Sequence, residues 1–293
     1  MTRATSVGFL LLSPICTSLT GMFIKFIPWS PWAIVGWRSL FSSLFMLAVF
    51  KTLFPREFRF DWSRGNLLVA VSYSVFALLF SISTKLTTSA NTVFLQYTAP
   101  AWVALLGPWL LGEKTSRRDW LFIAVTFSGL SLFLLNGLKV GGGRNDPLGL
   151  ALGLAGGFCW GLCVIFMRKK GSQGPPLSSM VIANGLTALY CLGAMFSVDF
   201  SAGPAANLGW CALLGIGPIG LGYVFYVLAI NRVTALEAAM IPAIEPLLNP
   251  FWTYLAVGET PGFWTFIGGG LLLAGVLARS WLALKSPPLS NQA

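Results

Sequence analysis

The sequence predicts an all-α membrane protein of ten transmembrane helices, arranged as two inverted five-helix repeats. Three observations predict this fold class: the composition, a series of ten apolar runs, and a segment that occurs twice. The 293 residues are 56% hydrophobic and only 10% charged, whereas a soluble domain carries about 25% charged residues to hydrate its surface. A chain this apolar, with a mean hydropathy of +0.76, is instead expected to be solvated by lipid.

Ten apolar runs are each long enough to cross a bilayer as a helix, which takes about 20 residues. They cover residues 5–26, 31–53, 64–84, 88–111, 118–136, 147–169, 177–198, 207–230, 235–257 and 262–283. The loops between them leave no room for a soluble domain, so we expect one polytopic membrane domain over residues 1–293. The first run is longer than the apolar core of a signal peptide and lacks a small-residue cleavage pattern, so it is expected to be retained.

Two long segments of the sequence correspond to each other, with matches at Thr88 and Thr234, Pro100 and Pro246, Gly112 and Gly258, and Glu113 and Glu259. TSANTVFLQYTAPAWVALLGPWLLGEK begins at Thr88 and TALEAAMIPAIEPLLNPFWTYLAVGET begins at Thr234, so matched residues lie 146 positions apart. Because five spans per half is an odd number, the second half enters the membrane from the opposite side. We therefore predict a first repeat over 1–138 and an inverted second repeat over 147–284. Repeats of this kind have the substrate site near the bilayer midplane, between the halves.

The formal charge of +10 is distributed unevenly along the chain. With the N-terminus inside, fourteen of the 19 basic residues face the cytoplasm, four face outward, and Arg38 lies within the second span. This asymmetry follows the positive-inside rule, so both termini are expected in the cytoplasm. Beyond the net charge, nothing in the sequence supports nucleic acid as a partner.

The chain contains five cysteines, all within predicted spans, and no histidine. The cysteines form neither a CxxC pair nor a cluster with metal-ligand spacing, so we expect them to pack as small apolar residues, with no metal and no cofactor. The lack of histidine and of a cytoplasmic acid pair argues against a membrane-embedded enzyme. A helper or structural membrane subunit stays open as an alternative, although it would not need the prolines and the acid described next.

Prolines interrupt both copies of the repeated segment at mid-membrane. Pro100 lies in the fourth span, and Pro242 and Pro246 share one face of the ninth. Each proline removes a backbone hydrogen bond, and the freed carbonyl must face protein or a watery cavity. We predict that these two spans bend beside a transport pathway. Static bending for packing is the alternative.

A row of glycines runs along the sixth span at a spacing of four, namely Gly149, Gly153, Gly157 and Gly161. Such a row forms a smooth face that lets another helix backbone approach closely. Tight packing is one interpretation of this face. A surface on which the two halves rock is the other, and both can hold.

Two charged residues lie inside the predicted spans. Glu245 is ten residues into the ninth span, about 15 Å from its cytoplasmic end at 1.5 Å per residue, and a charge at that depth normally has a partner or a task. It could be a counter-charge for a substrate ammonium, a proton-coupling site, or one half of an ion pair with Arg38. For Arg38 an interfacial anchor or an ion pair is favoured over binding of a substrate carboxylate, because its head can reach the interface. Glu237, near the start of the ninth span, is expected to cap that helix.

Aromatic and amide side chains at mid-span define the expected lining of a binding site. Tryptophan and tyrosine usually gather at the membrane interface, and a buried indole N–H needs an acceptor, which a polar cavity supplies. The predicted lining comprises Trp102, Trp160, Tyr73, Phe76, Gln96, Tyr97, Asn184 and Tyr223. Such a site suits an aromatic side chain by stacking or an organic cation by cation–π attraction.

Some of these residues also carry a family resemblance. Pro100 with the GEK end of the fourth span, AAMIPAIEPLLNPFWTYLAVGET in the ninth span, and Arg38 after a Pro-Trp-rich loop resemble the EamA branch of the drug/metabolite transporter superfamily. The resemblance covers essentially the whole chain. It implies a ten-helix carrier in the bacterial inner membrane, with a central cavity and usually exporting metabolites. The mid-membrane aromatic residues are also similar to those of the bacterial aromatic amino-acid exporters.

We therefore expect an alternating-access exporter of small amphipathic metabolites, with amino acids, including aromatic ones, as the favoured substrates. Efflux of organic cations or drugs, with Glu245 as the counter-charge, is the alternative. The expected partners are a small-molecule substrate and membrane lipids, and protons are a further candidate. A monomer is expected to suffice, because an internal two-fold repeat can build a pathway by itself.

Overall fold

The structure is a computed structural model that describes residues 3–56, 58–113, 116–140, 146–171, 176–198, 204–242 and 244–258, with single residues at 267, 270, 271, 274 and 278. Every regular element within these ranges is helical. The tenth predicted span, over residues 262–283, lies outside the described residues apart from those single positions.

The first predicted repeat folds into helices with short breaks between them. They are α1 (Arg3–Thr17), α2 (Thr20–Phe26), α3 (Pro31–Leu53), α4 (Arg64–Leu86), α5 (Ser89–Gln96), α6 (Ala99–Leu110) and α7 (Arg117–Val140). The start of α3 shows why the chain turns helical where it does. The Ser30 hydroxyl accepts the backbone N–H of Ala33, and Pro31 occupies the first turn, where its missing N–H costs nothing.

The second predicted repeat is also helical throughout its described part. Its helices are α8 (Asp146–Gly171), α9 (Leu177–Tyr190), α10 (Leu192–Phe196), α11 (Pro204–Leu214), α12 (Gly222–Ala229), α13 (Ala235–Met240) and α14 (Glu245–Val257). A π-helical turn, Gly215–Leu221, joins α11 to α12 and contains Pro218.

Five stretches of the described chain are long and apolar enough to cross a membrane as helices. They are Arg3–Phe26, Pro31–Leu53, Arg64–Leu86, Pro147–Lys170 and Pro204–Arg232. The predicted spans 88–111, 177–198 and 235–257 each consist of two shorter helices. These spans break at Tyr97–Thr98, at Cys191 and between Met240 and Glu245, so the fourth and ninth spans, which were expected to bend, are each divided into two helices.

The two copies of the repeated segment break at equivalent positions. Helix α5 begins at Ser89 and α13 at Ala235, while α6 begins at Ala99 and α14 at Glu245. Each pair of starting residues is separated by the same 146 positions as the sequence match. Each copy is therefore a short helix, a break and a second helix.

The ends of the two copies also correspond. The hydroxyls of Thr88 and Thr234 both cap the first helix by accepting a backbone N–H. Gly112 and Gly258 close the second helix with φ of 73° and 72°. Glycine adopts this left-handed conformation without the steric penalty that a Cβ brings. The local fold of the segment is thus set by the same residue types in both copies.

The prolines act differently from the expectation. Pro100 and Pro246 lie in the first turn of α6 and α14, where an N–H has no partner within the helix in any case. These two prolines therefore begin the second helix of each copy instead of bending a continuous one. Pro108 and Pro250 do lie inside their helices, and Pro242 lies in the break between α13 and α14.

Apolar side chains cover the outside of the bundle. Leu44, Val71, Trp109 and Phe251 are each at least half exposed, as suits a surface that faces lipid. Polar side chains such as Asn184 and Asn249 are instead fully buried among the helices. Helix α4 packs against α2, α3, α5, α8 and α9, so it lies at the centre of the described bundle and borders the cavity described next.

Candidate functional site

A cavity lies inside the bundle. Residues from both predicted halves line it. They are Ser13, Thr17, Thr20, Arg38, Tyr73, Phe76, Phe80, Gln96, Tyr97, Trp160, Ile219, Tyr223, Tyr226, Ala239, Pro242 and Glu245. A mainly apolar wall with a few polar groups is typical of sites for small molecules.

Aromatic rings form a continuous part of the wall. The Trp160 ring lies 5.1 Å from Phe76, 5.8 Å from Tyr223 and 5.6 Å from Tyr226, measured between centroids. Tyr73 meets Tyr223 edge to face at 5.2 Å. Rings held by one another in this way keep fixed orientations, so they offer a rigid surface on which a flat ligand can stack.

Glu245 is the acid of the cavity and is 5% exposed. Its carboxylate Oε2 lies 3.0 Å from the hydroxyl of Tyr97, the residue that directly follows α5. The same hydroxyl lies 2.6 Å from the carbonyl oxygen of Pro242. Because a phenol has one hydrogen to donate, it can serve only one of these two acceptors at a time. The breaks of the two repeated segments therefore meet at the buried acid.

The carbonyl of Pro242 is available to Tyr97 because of the local sequence. In a regular helix it would accept the N–H of residue 246, but Pro246 has none. It accepts the backbone N–H of Glu245 instead, at 3.0 Å. The second lone pair of the same oxygen accepts the Tyr97 hydroxyl. The proline spacing thus creates an acceptor that points out of the helix.

Arg38 also lines the cavity and is 2% exposed. Its Nε and Nη1 atoms are buried without a hydrogen-bond partner among the described residues, and it interacts electrostatically with Tyr73. Neither the expected interfacial anchor nor the expected ion pair with Glu245 is present in this part of the chain. The anchor prediction is wrong because the π-helical turn covers α3 here, with Gly215 against the Arg38 carbonyl.

The glycine face of α8 packs against the first repeat. A Cβ on Gly153 would come within 3.0 Å of Leu95 and Ser83, and one on Gly157 would overlap Thr98 and the Leu95 carbonyl. These contacts are to α4, to α5 and to the break after α5. The close packing places Trp160 beside the cavity. The glycine face of α8 therefore positions the aromatic wall, whether or not the two halves also slide across this face.

Asn249 of α14 ties three elements together. Its side-chain oxygen accepts the Ser89 hydroxyl at 2.7 Å, and its amide donates to the Ser18 carbonyl at 2.9 Å. Ser18 lies in the break between α1 and α2, and its hydroxyl accepts the Trp252 indole N–H at 3.1 Å. Polar contacts therefore hold α14 and the start of α5 against the break between α1 and α2.

Ion pairs join the two predicted halves at the end of the bundle where α1 begins. The Arg3 guanidinium lies 2.6 Å from Glu237, and Lys170 pairs with Asp61. Glu237 also completes the predicted cap, since it and Thr234 form a reciprocal capping box. The hydrogen bond from Lys170 lowers the pKa of the Asp61 carboxyl.

Glu113 makes a second set of contacts at the end of the bundle where α1 begins. Its Oε1 lies 3.0 Å from Arg168 Nε, and its Oε2 accepts the Ala235 backbone N–H at 2.8 Å. Burial nevertheless raises the pKa of this carboxyl above its ordinary value of 4.5. One acid thus connects the end of α6 to the end of α8 and to the start of α13.

Eight of the ten residues proposed to bind substrate line this cavity. The other two do not. Trp102 packs edge to face against Phe158 at 5.1 Å, and its indole N–H has no partner among the described residues. Asn184 lies behind the wall, where its oxygen accepts the Tyr73 hydroxyl at 3.3 Å. Asn184 is therefore positioned to orient Tyr73 rather than to touch a ligand.

Several lining residues were not found from the sequence. Tyr226 follows Tyr223 by three residues, which is one helical turn, so this spacing could have revealed it. Ser13, Thr17 and Thr20 gave no comparable signal, because small hydroxyl residues are common in membrane helices. Ser13 and Thr17 lie in the second half of α1, and Thr20 is the first residue of α2.

The model of the EamA-like transporter family matches residues 4–135 and 147–281. The "Uncharacterized transporter YyaM" of Bacillus subtilis is 25% identical over 86% of this chain and 85% of its own length. The "Threonine/homoserine exporter RhtA" of Escherichia coli K12 is 26% identical over 78% of this chain and 74% of its own.

A solved crystal structure also resembles the chain. It superposes with a TM-score of 0.76, covers 97% of this chain and 100% of its own, and is 15% identical. At that identity the likeness extends to the fold alone.

Proposed function

The chain belongs to the EamA-like transporter family, and from this membership and the cavity we propose that it exports small amphipathic metabolites, above all amino acids, aromatic ones included. The observation that carries the proposal is a buried cavity with an aromatic wall, in which Glu245 is held where two broken helices meet. A transporter needs a site of this kind at the contact between its moving parts. The name of the distant relative RhtA, a threonine/homoserine exporter, supports amino acids as the substrate class.

The proposed mechanism is alternating access between two inverted five-helix halves. It is supported by the constant offset of 146 between the helix breaks and by the ion pairs that link residues 1–138 to residues 147–284. Those pairs would have to open when the cavity faces that end of the bundle. Pro100, Pro242 and Pro246 border the breaks, and Gly153 and Gly157 form the surface across which the halves would move.

We propose a multi-pass protein of the bacterial inner membrane with both termini in the cytoplasm. The support is the distribution of basic residues, of which fourteen lie on the predicted cytoplasmic side and four on the outer side. In this orientation the Arg3–Glu237 and Arg168–Glu113 pairs close the cytoplasmic end of the cavity. A reporter enzyme that is active only in the periplasm should be silent when fused to the C-terminus.

Counterflow in proteoliposomes tests the function. Vesicles loaded with unlabelled phenylalanine or threonine should accumulate the labelled amino acid from outside, and the Glu245→Gln variant should accumulate less. The assay is run at two pH values, since a proton partner would make accumulation depend on the pH gradient. Vesicles that accumulate no amino acid above the protein-free level would exclude the proposed substrate class.

Efflux of organic cations is the second candidate, because Glu245 and the aromatic rings could together attract a cation. Counterflow in the same vesicles loaded with a quaternary ammonium compound distinguishes efflux of organic cations from export of amino acids. Accumulation of the cation without accumulation of amino acids would favour this candidate.

A further inference from the structure

Arg38 has bonding capacity that the described protein does not use. The guanidinium is always charged and carries five N–H donors. The three on Nε and Nη1 have no acceptor among the described residues, although the side chain is 2% exposed. Burying a cation without an anionic partner is strongly unfavourable, so such a group beside a cavity indicates a partner that arrives with the ligand.

No acid of the described chain supplies that partner. Among the described residues, ion pairs join Arg3, Arg168 and Lys170 to acids at the end of the bundle where α1 begins. Glu245, the acid of the cavity, contacts Tyr97 instead. Tyr73 and Tyr223 interact with Arg38 electrostatically, Tyr73 also through a side-chain hydrogen bond, but both offer a hydroxyl group and neither is an acid.

We propose that Arg38 binds a carboxylate of the transported molecule, and that this carboxylate is required for recognition. A guanidinium presents parallel N–H bonds that match the two oxygens of a carboxylate. This inference rests on the proposed function of the same cavity and specifies its substrate class. With Glu245 lining the same space, the ligand carries both a carboxylate and an ammonium group, and a purely cationic ligand would be repelled by Arg38.

Two matched pairs of compounds test the requirement. Phenylalanine is compared with phenylalaninol, and threonine with threoninol, since each alcohol keeps the ammonium group and the side chain but lacks the carboxylate. Binding is measured as the ligand-dependent rise in the unfolding temperature of the purified full-length protein in detergent. Transport is measured separately by counterflow.

The wild-type protein should bind at least one of the two amino acids about tenfold or more tightly than its alcohol. Arg38→Gln should abolish that preference, and Arg38→Lys should restore it only in part, because an ammonium lacks the planar fork of the guanidinium. Ser42→Ala is the matched control. Ser42 is buried on the same helix one turn further along and does not line the cavity, so this variant should keep the preference.

Three outcomes would overturn the proposal: equal binding of acid and alcohol by the wild type, retained preference in Arg38→Gln, or no binding of any of the four compounds. The first and third need no variant, so they decide the matter even if Arg38→Gln does not fold. Failure of the proposed function looks different. In that case carboxylate-dependent binding through Arg38 is present, but proteoliposomes transport no amino acid.

Discussion

The hydroxyl of Tyr97 donates to the carbonyl of Pro242 across 2.6 Å, and this single contact joins the helix break of one repeated segment to that of the other. Glu245 lies 3.0 Å from the same hydroxyl. A change at the buried acid, such as ligand binding, can therefore redirect the tyrosine hydrogen and alter how the two breaks are held together.

Tyr97→Phe should lower both stability and transport. It removes the donor for Pro242 and Glu245 without changing the ring, and a buried group left without a partner costs about 1–3 kcal/mol. The measurements are the unfolding temperature and the counterflow rate. Tyr190→Phe is the control, because it also removes a hydroxyl bond to a carbonyl, at Ser74, but does not line the cavity. Equal transport in the two variants would contradict the role of the contact.

Glu245→Gln should reduce transport at least tenfold while folded protein remains in the membrane. The amide has the same shape and can still accept from Tyr97, so the loss reports the missing charge. Size-exclusion profiles of the purified variant check the fold, and proteoliposome uptake checks the activity. An uptake rate equal to that of the wild type would show that the charge has no part in transport.

Gly157→Ala should destabilise the bundle by about 1–3 kcal/mol, the usual cost of overpacking. The new methyl would overlap the Leu95 carbonyl, which is backbone and cannot turn aside as a side chain can. Gly8→Ala in α1 is the control, because no atom lies within 4 Å of its added methyl. The control should be neutral or slightly stabilising, since alanine favours helix. Comparable losses in unfolding temperature would show that close packing is not the cause.

The Glu113–Arg168 pair should contribute less to stability as the pH falls. Burial raises the pKa of Glu113 above 4.5, so protonation favours the folded state. The stabilisation that comes from protonating Glu113 is complete below pH 4.5, and it is lost as the pH rises through the pKa of Glu113 in the folded protein. The ion pair needs the ionised carboxylate, so it weakens at mildly acidic pH. A double-mutant cycle with Glu113→Gln and Arg168→Gln should give a smaller coupling energy at pH 5 than at pH 7.5.

The limits of sequence reasoning can be seen at particular residues. The offset of 146 was visible in the sequence, and the helix starts at Ala99 and Glu245 are separated by the same number of positions, although the breaks before them were not predicted. The burial of Arg38 could not be predicted in this way, since its depth depends on a π-helical turn more than 170 residues further along the chain. Trp102 was assigned to the site from its depth in a span, which gives no information on the direction in which the ring points.

The π-helical turn at Gly215–Leu221 affects how this chain should be compared with its relatives. A π turn accommodates one residue more than an α-helix over the same rise, so the sequence positions that share a helix face before and after it are out of step by about 100°. A relative without the extra residue would align with this chain as a one-residue gap inside the turn, and its counterparts of Tyr223 and Tyr226 would keep their direction, because the turn absorbs the additional residue. The aromatic wall should therefore be compared among relatives with this gap allowed, since an ungapped alignment from α11 onward would match the wrong residues.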